Sequence, residues 1–161
     1  MAWRSTMATA RAGIVLGGIL LVTGAEAQQN SVRQAVTAAY DAFNAALSAR
    51  DIETMEQLWV HEPGVVSANP RDKEVNVGWD AVKKNWETTF AFWGSDFKVI
   101  RRGEPQIGIA QPIAWCISIA DVQGRRPDGQ SLTFQVIATD VFQNRGDRWL
   151  MVSHHASRIP D

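Results

Sequence analysis

The stretch that most constrains the fold is the C-terminal hairpin, Gln130 to Ser157, where two alternating runs meet at Asn144-Arg145-Gly146-Asp147. Side chains alternate between the two faces of a strand. One register gathers Leu132, Phe134, Val136, Ala138, Asp140 and Phe142 on the first strand, and Leu150, Val152, His154 and Ala156 on the second. Each apolar stripe is interrupted by one ionisable residue. The opposite register is more mixed and carries Gln135, Ile137, Trp149 and Met151. The first face therefore predicts the lining of a cavity, and the second a surface covered by a partner. With residue 143 paired to residue 149, Asp140 lies opposite Val152 and diagonal to His154, at ~7–8 Å.

The opening segment reads as an address rather than as fold. Arg4 and Arg11 flank a short polar start, Ala12 to Val22 is an apolar run, and Ala25-Glu26-Ala27 is a small-x-small site before Gln28. That is the layout of a secretory signal peptide spanning 1–27, and the apolar run is too short to span a bilayer. The expectation is an exported domain over 28–161, in the periplasm or outside the cell, with no membrane attachment after cleavage. A formal net charge of −1 lacks the basic footprint of a nucleic-acid binder. Cys116, the only cysteine, sits in the apolar run Ile113-Ala114-Trp115-Cys116-Ile117, so no internal disulfide forms and the thiol reads as a small buried hydrophobe.

From Ser31 and Gln34, a capping-box pattern, Val32, Val36, Tyr40, Phe43 and Leu47 recur at helical spacing up to Arg50. Asp51 can cap a second helix that buries Ile52, Met55, Leu58 and Trp59. A short strand, Val65 to Asn69, ends at Pro70, and the charged run Arg71-Asp72-Lys73-Glu74 reads as a solvated loop. Gly78 opens a third helix with Trp79, Val82, Trp86, Phe90 and Trp93 on one stripe, a pattern of core burial. Beyond Gly94 the period becomes two, giving strands at Phe97–Arg101, Ile107–Ile109 and Ile113–Val122 before the hairpin. Three helices followed by antiparallel strands predict an α+β domain, with the helices packed in a strongly curved, mostly antiparallel sheet.

This order, with the Arg-Asp pair before the second helix, the Gly-Trp-Asp start of the third, and the closing Arg148-Trp149-x-x-Val152-x-His154-His155-x-Ser157, resembles SnoaL-like domains of the nuclear transport factor 2 superfamily. The resemblance covers Ser31 to Ser157 and implies a cone-shaped fold with a pocket at its open end. It also implies a sheet face used for homodimerisation. Ketosteroid isomerase is similar in layout, but its Tyr falls on Phe43, its general base on Asn69 and only its third acid on an acid, Asp140. An amide side chain has no proton to exchange near neutral pH, so steroid isomerisation by that set is not expected. The association domain of calcium/calmodulin-dependent protein kinase II is similar in its last strand. Its pocket arginines fall on Asp140, Ile117 and Ala156, so anion binding by them does not carry over.

Asp140 and His154 are thus the candidate acid/base pair for an isomerase, lyase or hydrolase. Asn69, Tyr40, Trp115, Val152 and Ala156 are the expected ligand contacts, and the ligand is a small apolar or mixed-polarity molecule. A buried Asp–His pair equally well satisfies its own hydrogen bonds without chemistry. The second reading is therefore a non-catalytic homodimeric module, joined through Gln135, Ile137, Trp149 and Met151. His155 points the other way, and the three histidines form no zinc spacing. No metal or cofactor is called for.

Overall fold

The computed structural model describes residues 16–160. The chain divides into two compact units, one up to Val32 and one from Arg33 onward. In the first, the backbone is helical from Leu16, and the Ser31 hydroxyl donates to the Gln28 carbonyl at 2.9 Å instead of starting a helix there. Arg4 and Arg11 of the expected signal peptide lie outside the described residues. Among the described residues no helix is long and apolar enough to cross a membrane.

The second unit holds the site. Helix α1 (Leu16–Ala49) ends where Arg50 turns to a φ of 57°, the left-handed conformation of a helix stop. Asp51 then caps α2 (Ile52–Leu58) by accepting from the Thr54 amide at 2.9 Å, as its position predicts. The third helix, α3 (Trp79–Phe92), buries Val82, Trp86 and Phe90, so the aromatic stripe is core.

Six strands form one mixed sheet in the order β2-β1-β6-β5-β4-β3. They are β1 (Val66–Ala68), β2 (Asn76–Val77), β3 (Lys98–Ala110), β4 (Ile113–Arg125), β5 (Ser131–Arg145) and β6 (Arg148–Arg158). All neighbours are antiparallel except β1 and β6, which pair in parallel. The two separate strands expected over residues 97–109 are one strand, broken in register between Arg102 and Gln106. The helices cover one face of the sheet: Tyr40 and Phe43 of α1 and Trp86 of α3 are at most 1% exposed and reach Ser118 and His154.

The hairpin register differs from the simple one. Asp140 pairs with His154 and Val141 with Ser153, yet Phe142 pairs with Met151, which leaves Val152 as the extra residue of a β-bulge. A bulge reverses the alternation. Between the bulge and the turn, Trp149 and Met151 are therefore buried, at 7% and 0% exposure, while Leu150 and Val152 are only half-buried. Trp149 and Met151 are core, not the expected partner surface. The outer face shows instead Ile100, Trp115, Ile117, Ile119 and Ile137, with Ile119 and Ile137 directly paired.

Candidate functional site

The inward residues of β4 and β5 follow strict alternation. Ala114, Cys116, Ser118 and Ala120 point in from one strand, and Val136, Ala138, Asp140 and Phe142 from the other. Among these apolar groups Asp140 is 1% exposed, and its Oδ1 lies 2.6 Å from Nδ1 of His154, itself 5% exposed. The two face each other directly across β5 and β6, not diagonally. The donor and acceptor roles follow the tautomer: against an ionised carboxylate, which can only accept, Nδ1 carries the proton of this bond. Phe43 and Trp86 flank the imidazole, with ring centroids at 5.3 Å and 5.2 Å. The ring is thus fixed by packing on two sides and by the Asp140 hydrogen bond on a third.

Tyr40 of α1 donates its hydroxyl to Ser118 Oγ at 2.7 Å, and both side chains are buried. Burial pushes the phenol above its ordinary range; the Ser118 bond opposes this and the Asp140 carboxylate adds to it. Cys116 pairs with Asp140 in register. Burial, with Asp140 second, pushes its thiol up to about 12, so it stays protonated and serves as packing.

Tyr40, Ser118, Asp140 and His154 border a cavity of about 190 Å³, which is also bordered by a second, half-exposed polar cluster. There Asp72 accepts from the Asn69 amide at 2.8 Å, from Asn76 Nδ2 at 3.0 Å and from Asn85 Nδ2 at 3.0 Å. Asn69 Nδ2 in turn donates to Asn85 Oδ1. The run 71–74 is therefore only partly a solvated loop, because Arg71 and Asp72 both border the cavity. Much of the remaining lining is apolar, including Phe43, Leu47, Trp93, Phe97, Val136 and Ala138.

Of the residues singled out in the sequence, Asp140, His154, Asn69, Tyr40 and Ala156 border the cavity. Trp115 does not: it is 38% exposed on the outer face, where its indole lies across Gly108 of β3. Any Cβ at Gly108 would stand 2.1 Å from that ring. Val152 is displaced from the lining by the bulge. Ser118, Asp72 and Asn85 were missed. Ser118 carries the same signal as Asp140, a polar residue on an apolar stripe, and Asn85 adjoins the buried Trp86 on α3. Asp72 gives no such signal. Among the described residues no three His, Cys, Asp or Glu side chains converge as a metal site would require.

A family model for the SnoaL-like domain matches residues 36–161. Among solved structures, a nuclear transport factor 2-like superfamily protein from Salmonella enterica serovar Typhimurium is 20% identical, with a TM-score of 0.76 over 83% of this chain and 94% of its own. A candidate dehydratase of the same family from Streptomyces avermitilis is 22% identical, with a TM-score of 0.73 over 82% of this chain and 99% of its own. A candidate calcium/calmodulin-dependent protein kinase type II association domain from Thiobacillus denitrificans is 27% identical, with a TM-score of 0.63 over 77% and 94%. No curated protein matches the sequence. The structural likenesses establish the fold, that of nuclear transport factor 2-like proteins.

Proposed function

The chain belongs to the SnoaL-like domain family, and we propose that its cavity binds a small, mostly apolar molecule on which Asp140 and His154 act as an acid/base pair. The observation that carries this reading is the 2.6 Å contact between Asp140 Oδ1 and His154 Nδ1 in an otherwise largely apolar wall. With Nδ1 protonated against the carboxylate, neutral His154 presents Nε2 as the base, and Asp140 stabilises the imidazolium that forms. Such a base removes a proton beside a carbonyl. Returning it at another carbon isomerises the substrate; passing it to a hydroxyl on the next carbon expels water as the C–O bond breaks; and taking the proton from water instead lets the hydroxide add to an acyl carbon, whose bond to the leaving group breaks as that group takes up the proton. Asn69 at the exposed end supplies a hydrogen-bonding orienter. By the sequence resemblance, Phe43 and Asn69 fall at the positions of a steroid isomerase's Tyr and base, so that reaction is not the one proposed. The signal-peptide-like start at 1–27 would deliver the domain to the periplasm or the cell exterior.

A ligand screen by thermal shift tests the binding step, since a ligand at 100 times its Kd adds about 2.7 kcal/mol. For a hit that is turned over, His154→Ala is expected to abolish turnover while holding affinity within about tenfold, or about 1.4 kcal/mol. Turnover surviving in that variant contradicts the assignment.

A second reading, a homodimeric ligand-binding or assembly module without chemistry, is favoured by the outer face. Ile100, Trp115, Ile117, Ile119 and Ile137 are 38–46% exposed there, a patch that a second copy would cover. Sedimentation as a monomer at micromolar concentration contradicts it. A dimeric enzyme satisfies both readings.

A further inference from the structure

Beside the cavity runs an open groove bordered by Arg71, Arg126 and Arg158, which shares Pro70, Arg71 and Phe134 with the cavity wall. Two of these guanidiniums gather at one ring: Arg71 Cζ lies 3.2 Å from the centroid of Phe92, and Arg126 Cζ lies 5.2 Å from it. Arg126 has a carboxylate, Asp128, at 3.4 Å. Arg71 has none: among the described residues it makes no ion pair, and the oxygens of neighbouring Asp72 are engaged by Asn69, Asn76 and Asn85. Burial first, and then the charge of Arg126, lower the pKa of Arg71, with the Asp72 carboxylate opposing them. Burial and the Arg126 charge both penalise the cation, and an anion beside the two guanidiniums would relieve both.

We propose that the molecule taken by this site is an organic carboxylate, with its headgroup held at Arg71 and Arg126 and its apolar body lying along Val136 and Ala138 in the cavity. This rests on the cavity being a binding site. A planar guanidinium fork matches a carboxylate in geometry, and the lining beyond the groove offers a body of low polarity what it needs. Asp140 and His154 then meet the substrate away from its charge, on the hydrocarbon portion.

Calorimetric titration of the full chain with octanoate, 1-octanol and octyl phosphate tests the inference. Octanoate is expected to bind about tenfold tighter than 1-octanol, and Arg71→Gln is expected to remove that advantage while leaving 1-octanol unchanged. Arg126→Gln is expected to weaken octanoate in the same direction, and added salt to weaken octanoate alone. Equal affinity for octanoate and 1-octanol, with both lost in the cavity-filling variant Ala138→Phe, overturns the carboxylate while the cavity stands. Tighter binding of octyl phosphate overturns it in favour of a phosphate ester. Binding of none of the three overturns the carboxylate and the binding site together.

Discussion

Polar groups at the buried end of the cavity are held by strands and by one another, whereas those at the exposed end are held by a loop carboxylate. Asp140 and His154 pair one to one across a regular stretch of β5 and β6, as do Tyr40 and Ser118 between α1 and β4. Asp72, by contrast, gathers three amide donors from Asn69, Asn76 and Asn85. A buried ion or dipole has little water to replace a lost partner, so each pair at the deep end is obligatory. At the exposed end water substitutes in part. The two ends therefore differ in kind: the deep pair is fixed by burial, and the outer cluster borders the cavity with half-exposed groups.

The widest separation between the ends should appear on removing each carboxylate. Asp140→Ala leaves the His154 ring buried with an unpaired Nδ1–H and is expected to destabilise the domain by about 3 kcal/mol in urea unfolding. Asp140→Asn keeps an acceptor at Oδ1 and should lose clearly less. If both variants unfold at the wild-type denaturant concentration, the deep pair is not the constrained element described here.

Asp72→Ala sharpens the same contrast from the other side. It strips three donors of their acceptor, but in a half-exposed loop, so about 1–2 kcal/mol is expected. A loss larger than that of Asp140→Ala would reverse the comparison, making the loop carboxylate the keystone of the cavity.

Most of the deep end was legible in the sequence, Ser118 apart, whereas of the outer cluster only Asn69 was. Alternation along β5 placed Asp140 inward, and the helical stripe placed Tyr40, Phe43 and Trp86, because regular elements impose fixed periods. What alternation does not register is an inserted residue. Counting back from the turn put Val152 and Leu150 inside, and the bulge at Val152 instead sends Trp149 and Met151 there. Trp115 lies outside by the same alternation that turns Ala114 and Cys116 inward, and Gly108 on the facing strand gives its indole room there. Asp72 sits in a run whose composition alone predicts solvation. Its three partners come from separate places in the chain, including α3, and only the tertiary fold brings them to it.

The smallest expected effect reads the electrostatics of the deep end directly. Tyr40 is the only tyrosine of the chain, so phenolate absorbance reports this one group. Its midpoint should lie above the ordinary 10.0, chiefly because burial disfavours the phenolate. A raised folded-state value means that the folded protein binds more protons than the unfolded chain above that pH. Stability should therefore fall as pH rises from about 10 toward the folded midpoint, and Tyr40→Phe should flatten the fall. Two variants separate the causes. Ser118→Ala removes a bond that favours the phenolate and should move the midpoint further up; Asp140→Asn removes a neighbouring negative charge and should move it back down. No response to Asp140→Asn would mean that its carboxylate is not felt at Tyr40, and the deep end would then be two independent pairs rather than one coupled site.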